Sequence, residues 1–234
     1  MAVTCRRSCG HRVLTIACMD PLHLTIAFVP LATYLLVLGM INLSSRPFLT
    51  TGARDSLALA LGLAGLMIVG PMELFLPERA AQTFGGYAWI LMIVLYLLTC
   101  TLIVLMARPR LVIYNVTPEQ LRPLLEQAVK SIDAEASWAD DTYVLPRAFV
   151  QLHIESFPAL RNASLVSIGP RQSYQSWRKL ETTLAELLRE ARGVPNPYGV
   201  SLIMFGVALA GLSVYWLAQS RHQVVQALRE MLRL

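Results

Sequence analysis

The chain has 234 residues, of which 55% are hydrophobic and 15% charged, and its formal net charge at pH 7 is +5. Soluble domains carry about 25% charged residues, so this composition excludes an ordinary soluble protein. The basic surplus does not indicate nucleic-acid binding, because residues 108–192 carry 11 basic and 10 acidic side chains and the excess lies near the two ends of the chain. We expect a lipid bilayer as partner and no nucleic acid.

Residues 1–21 form an N-terminal segment before the first apolar stretch. Cys5, Cys9 and His11 lie close together in it, but their spacing matches no common zinc site and no fourth ligand is near. We therefore expect no metal and no other cofactor. Met19 is an alternative start of translation.

Four apolar stretches are each long enough to cross a hydrocarbon core, which takes about 20 helical residues. They are residues 22–43, 56–75, 85–106 and 198–218. The third lies within 28 uncharged residues between Arg79 and Arg108. Small residues spaced four apart favour close contact between such helices. These pairs are Ala58 and Gly62, Ala60 and Ala64, and Gly206 and Ala210.

Residues 107–197 interrupt the apolar stretches and predict a soluble domain. An apolar run at 110–115 is typical of a buried strand. Thr117, Pro118 and Gln120 then predict the start of a helix, and its apolar stripe ends near Asp133. We interpret residues 138–141 as a loop.

The second half of this domain shows three further strands and a helix. The strands are predicted at 142–145, 149–155 and 163–168, with a turn region at 157–162, and the helix at 174–192. The order β-α-β-β-β-α favours two helices on one face of a small, mostly antiparallel sheet. Such an α+β domain has a ferredoxin-like flavour but lacks the final strand of that fold.

The tail, residues 219–234, places apolar side chains on one face and arginines elsewhere. This pattern predicts an amphipathic helix, which either lies on the membrane surface or extends the fourth apolar helix. Basic residues near the spans favour a cytoplasmic soluble domain: nine lie on its side of the membrane and seven on the other, or four if translation starts at Met19.

Glu73 is the one acidic residue in apolar surroundings. A carboxylate inside a membrane is a functional hypothesis by default, here proton or cation handling. The simpler interpretation is that Pro71 ends the helix and that Glu73 reaches the membrane interface.

Three residues of the soluble domain are candidates for other chemistry. Asp140 and Asp141 are adjacent carboxylates, which could bind a divalent ion or act as acid and base, although a solvated polar loop is the simpler interpretation. His153 and Glu155 share one face of a strand. Two ligands do not complete a metal site, and a solvated strand face is the simpler interpretation.

We therefore expect a multi-pass membrane protein that acts as a protein-interaction or assembly module, with a protein partner or a second copy of itself. One alternative is a transport or channel subunit that uses Glu73. The other is a membrane-bound enzyme that uses Asp140, Asp141 and His153. The sequence holds no nucleophile elbow, HExxH motif, P-loop or GxGxxG motif, which favours a protein without enzymatic activity.

Overall fold

A computed structural model describes residues 21–75, 87–139, 142–157, 161–169 and 172–219. The helices in this part of the chain are α1 (Pro21–Leu43), α2 (Gly52–Phe75), α3 (Tyr87–Met106), α4 (Pro118–Ile132), α5 (Tyr174–Glu190) and α6 (Tyr198–Gln219). The strands are β1 (Phe48–Thr51), β2 (Arg110–Tyr114), β3 (Ser137–Ala139), β4 (Thr142–Leu145), β5 (Val150–Phe157) and β6 (Asn162–Ser167). The predicted tail beyond Gln219 lies outside the described residues.

Three helices are long and apolar enough to cross a membrane: Leu22–Leu43 of α1, Gly52–Gly70 of α2 and all of α6. Residues 90–106 of α3 form a further, shorter apolar helix. The second helix begins four residues earlier than predicted. Asp55 was taken as its boundary, but a carboxylate in the first turn stabilises the positive end of the helix dipole and so belongs inside it.

The four apolar helices form a row in the order α6, α1, α2, α3. The α1–α6 contact depends on small residues: a Cβ atom on Gly39 would lie 2.6 Å from Ile203 Cγ1, and one on Gly206 would lie 3.0 Å from Leu36 Cγ. The buried positions Gly199, Gly206 and Ser213 of α6 recur every seven residues. The seam follows this seven-residue spacing; of the predicted pair, Gly206 lies in it and Ala210 is half-buried.

The sheet has six strands in the order β1-β2-β6-β5-β4-β3, and every neighbouring pair is antiparallel. Its edge strand β1 comes from the short linker between α1 and α2, for which the sequence predicted no element. Phe48 pairs with Tyr114 and Thr51 with Leu111. The soluble domain is therefore completed by a strand that belongs to the apolar half of the chain.

Both α4 and α5 pack on one face of the sheet, as predicted. Each presents a row of buried apolar side chains to the alternating inward side chains of the strands, so that one core serves all of them. The rows are Leu121, Leu125, Ala128 and Val129 in α4, and Trp177, Leu180, Leu184 and Leu188 in α5. α4 begins at the predicted cap, where Gln120 Oε1 accepts a hydrogen bond from the Thr117 N–H. α5 begins at Ser173, whose side chain accepts a hydrogen bond from the Ser176 N–H.

Two predicted loop regions contain strand residues instead. Ser137–Ala139 is strand β3, because Trp138 pairs with Tyr143 across the next strand. Phe157 and Asn162 pair with each other at the ends of β5 and β6, so the turn between them is shorter than predicted. The domain thus contains one strand more than the predicted order β-α-β-β-β-α. Its resemblance to the ferredoxin fold stays a prediction.

Candidate functional site at the junction of helices and sheet

Asn115 is the centre of a polar junction between the apolar helices and the sheet. It follows β2, is fully buried, and has a positive φ of 59°, a conformation that asparagine tolerates better than most residues. Its Nδ2 donates hydrogen bonds to the carbonyls of Ile41 at 2.5 Å and Ser44 at 3.1 Å. Its backbone carbonyl accepts from the Val194 N–H at 3.2 Å. One residue therefore connects the end of α1, strand β2 and the segment before α6.

Backbone hydrogen bonds extend this junction from α1 to α6. The N–H of Gly193 donates to the Ser45 carbonyl at 2.9 Å, and the N–H of Asn196 donates to the Asn42 carbonyl at 2.8 Å. Both asparagines are buried, and their side chains contact each other at 3.4 Å. Asn196 Oδ1 also accepts from the Tyr198 N–H, in the first turn of α6. These bonds fix the end of α1 beside the start of α6.

A second polar cluster connects the start of α2 to β2. The Tyr114 hydroxyl donates to Asp55 Oδ1 at 2.6 Å, and Arg110 lies 3.8 Å from the same carboxylate. Burial raises the pKa of Tyr114, and donation of its proton to Asp55 raises this pKa further. The phenol therefore keeps its proton at neutral pH and acts as a hydrogen-bond donor rather than as an acid or base. This chemistry suits attachment, not proton transfer.

The opposite edge of the sheet carries an exposed aromatic cluster. Trp138 of β3 stacks on Tyr143 with ring centroids 5.1 Å apart, and the Arg122 guanidinium of α4 lies 5.0 Å from the Trp138 ring. The Trp138 residue is 42% exposed, whereas Tyr143 is buried. Arg and Trp in this arrangement attract each other through the ring quadrupole. The cluster lies five strands away from β1 and the apolar helices.

Of the predicted site residues, the described part of the chain contains Glu73 and His153, which lie on different elements, α2 and β5. Glu73 lies in the last turn of α2, 21 residues after Gly52 and so about 30 Å along the helix from the sheet. Asp140 and Asp141 lie between β3 and β4, outside the described residues. α2 continues through Pro71 to Phe75, so the prediction that Pro71 ends this helix is wrong. The functional predictions for Glu73, Asp140 and Asp141 stay predictions.

His153 lies on β5, half-buried, on the sheet face opposite the two helices. Its Nδ1 is 3.3 Å from Thr142 Oγ1, and its cross-strand neighbours are Thr142 and Val166. Glu155 is exposed on the same strand and lies opposite Ser164. Within the described ranges no three His, Cys, Asp or Glu side chains group as metal ligands would. The polar neighbour of His153 is thus a hydroxyl.

Sequence reasoning missed the junction residues. Asn115 was taken as the last residue of a strand, and Asp55 as a helix boundary. A usable signal was present, since residues 48–51 read Phe-Leu-Thr-Thr between Pro47 and Gly52, which is typical of a short strand. No protein-family description, curated protein or solved structure matches the chain.

Proposed function

We propose that the chain crosses the membrane four times and serves as an assembly module with a cytoplasmic α+β domain. The fourth crossing in this proposal is α3, whose 20 residues carry no charge and rise about 30 Å, the thickness of a hydrocarbon core. α3 packs against α2, where the Tyr96 hydroxyl donates a hydrogen bond to the Ala60 carbonyl. This contact supports placing both helices in the same bilayer.

The β1–β2 pairing supports an even number of crossings between these strands. β1 immediately precedes α2, and β2 begins shortly after α3. Paired strands lie on one side of a membrane, so α2 and α3 together cross it twice or not at all. Since α2 is apolar and long enough to cross, two crossings agree with the pairing. The hydrogen bond between Asn196 and Asn42 likewise puts the end of α1 and the start of α6 on that side.

Basic residues support the cytoplasmic placement of the domain. Arg46 and Arg54 flank β1, which pairs with the sheet, and further basic residues lie on the domain close to the apolar helices. Short cytoplasmic segments next to membrane helices carry an excess of Lys and Arg. The further residues are Arg108, Arg110, Arg178, Lys179, Arg189 and Arg192.

The observation that carries the assembly function is the aromatic cluster of Trp138, Tyr143 and Arg122 at the outer sheet edge. Trp, Tyr and Arg are the residue types that dominate the energetics of protein interfaces. β3 has a strand neighbour on one side only within the described sheet. Because β1 holds the opposite edge against the apolar helices, the cluster points away from the membrane, toward a partner or a second copy.

Native mass spectrometry of the full chain, released from cell membranes in mild detergent, tests this proposal. We expect complexes heavier than the 26.0 kDa chain. Trp138→Ala should weaken the complex about 30-fold, because a hot-spot tryptophan contributes about 2 kcal/mol or more. Gln127→Ala, an exposed change on α4, is the matched control and should change nothing. A chain that is monomeric in every preparation, or a complex indifferent to Trp138→Ala, would refute the assembly function.

A further inference from the structure

An apolar groove lies between α2 and α3 on the surface of the helix row. Its volume is about 580 Å³, and it runs from Ser56 to Met67 along α2 and from Met92 to Val104 along α3. Eleven residues of α2 separate its ends, a rise of about 17 Å, which is close to the depth of one leaflet of the hydrocarbon core. Apart from a few hydroxyl and thiol groups its walls are aliphatic. The length and the apolar lining of the groove match those of a binding site for one acyl chain.

This groove continues into a basic pocket at the sheet end of the helices. Val104 lines both cavities, and the second one has a volume of about 220 Å³. Arg108, Arg110 and Arg178 line the pocket, together with one acidic side chain, Glu181. Arg108 lies two residues after the end of α3. The surface is therefore uncharged along the groove and positive at the end of α3. A lipid has the matching order, with an uncharged acyl chain and a phosphate headgroup.

Two of these arginines are available to an anion. Arg110 already lies 3.8 Å from Asp55 and donates a hydrogen bond to Ser56 Oγ at 3.3 Å. Arg108 and Arg178 are exposed, and within the described residues neither has a carboxylate at ion-pair distance. A guanidinium presents paired N–H donors that match phosphate oxygens. Arg108 and Arg178 are thus the two guanidinium groups of this pocket without a carboxylate partner among the described residues, and Arg110, which pairs with Asp55, lies beside them.

We propose that this groove and pocket together bind one anionic phospholipid of the bilayer. Arg108 and Arg178 bind its headgroup phosphate, and an acyl chain lies between α2 and α3. The complementarity of an apolar groove with a basic end favours this occupant over an uncharged apolar helix of another protein, which would leave the arginines without a counter-charge. The inference rests on α3 lying in the membrane, but not on the assembly function.

The test is native mass spectrometry of the full chain in detergent, titrated with dioleoylphosphatidylglycerol and, separately, dioleoylphosphatidylcholine. We expect the anionic lipid to bind more tightly. Each basic residue near a membrane surface contributes about a fivefold gain in affinity for anionic lipid, so Arg108→Gln with Arg178→Gln should weaken phosphatidylglycerol binding about 25-fold. Phosphatidylcholine binding should weaken less, because its choline cation offsets the charge of its phosphate. Thr99→Phe, which fills the exposed wall of the groove, should weaken both lipids.

The matched control is Arg189→Gln. Arg189 is exposed on the same helix as Arg178 but lines a different cavity, beside Arg46, so its loss should leave the affinity unchanged. Equal loss from Arg189→Gln and Arg178→Gln would mean diffuse attraction and overturn the proposal, as would equal binding of the two lipids. Competition by glycerol 3-phosphate as strong as that by the lipid would indicate a soluble anion and also overturn it. The same spectra report the oligomeric mass, which tests the assembly function independently.

Discussion

Replacement of Asn115 tests whether the junction fastens the sheet to the apolar helices. Asn115→Gly keeps the positive φ accessible but removes the bonds to the Ile41 and Ser44 carbonyls. A part-buried acceptor that loses its donor costs about 1–3 kcal/mol. The Ile41 carbonyl still accepts from the Ser44 N–H at 3.1 Å, so we expect about 1–3 kcal/mol for the whole change. Asn115→Ala should cost about 1–2 kcal/mol more, because alanine is strained in the left-handed region.

The assay is guanidinium unfolding of the full chain in detergent, followed by tryptophan fluorescence, to which Trp138 and Trp177 of the soluble domain contribute two of the four tryptophans. Hydrogen exchange at the Val194 amide, which donates to the Asn115 carbonyl, should also become faster in both variants. Gln127→Ala, on the exposed side of α4, is the control and should stay within about 0.5 kcal/mol of the parent. An Asn115→Gly variant as stable as the parent would refute the role of the amide bonds. Equal stability of the Gly and Ala variants would refute the backbone argument.

Three further predictions concern the helix seam, the edge strand and acid stability. Gly206→Leu should destabilise the α1–α6 contact by about 1–3 kcal/mol in thermal unfolding, whereas Gly211→Ala, where an added Cβ meets nothing within 4 Å, should not. Leu49→Ala should cost about 1–2 kcal/mol in the same assay, because this half-buried β1 side chain packs on the sheet core. Burial would raise the pKa of Asp133, but hydrogen bonds from the backbone N–H groups of Glu135, Arg147 and Ala148 outweigh it and lower this pKa below its ordinary 3.8. The free energy that the ionised Asp133 contributes to folding should therefore be present above pH 3.8 and be lost as the pH falls through the pKa of Asp133 in the folded protein. Asp133→Asn should remove this pH dependence, which unfolding measured at a series of acidic pH values will show.

Much of the architecture follows from periodicity. The apolar stripes of α4 and α5 and the alternation along β5 place their buried residues where the structure has them, because burial on one face leaves a period in the sequence. Caps such as Ser173 are equally local signals. Elements of this kind are predictable, since the residues that define them lie within a few positions of each other.

The junction was not predictable in the same way. β1 has the composition of a short strand, but four residues are too few to show a period, and its partner β2 comes 60 or more positions later in the chain. Asn115 matters because of its bonds to Ile41 and Ser44, which its own neighbours in sequence do not reveal. The aromatic cluster likewise joins Arg122 of α4 to Trp138 of a three-residue strand. Such features arise from tertiary packing.

Because β1 belongs to the linker between α1 and α2, it is synthesised long before the strand with which it pairs, and this constrains the order in which the chain folds. Phe48 is synthesised 66 residues before its strand partner Tyr114. The sequence separation between α1 and α6 is larger still, since Gly39 lies against Gly199. Contacts of such large sequence separation form late and slowly. α1 and β1 are therefore synthesised well before α6 and β2, and they are among the last elements to reach their final neighbours.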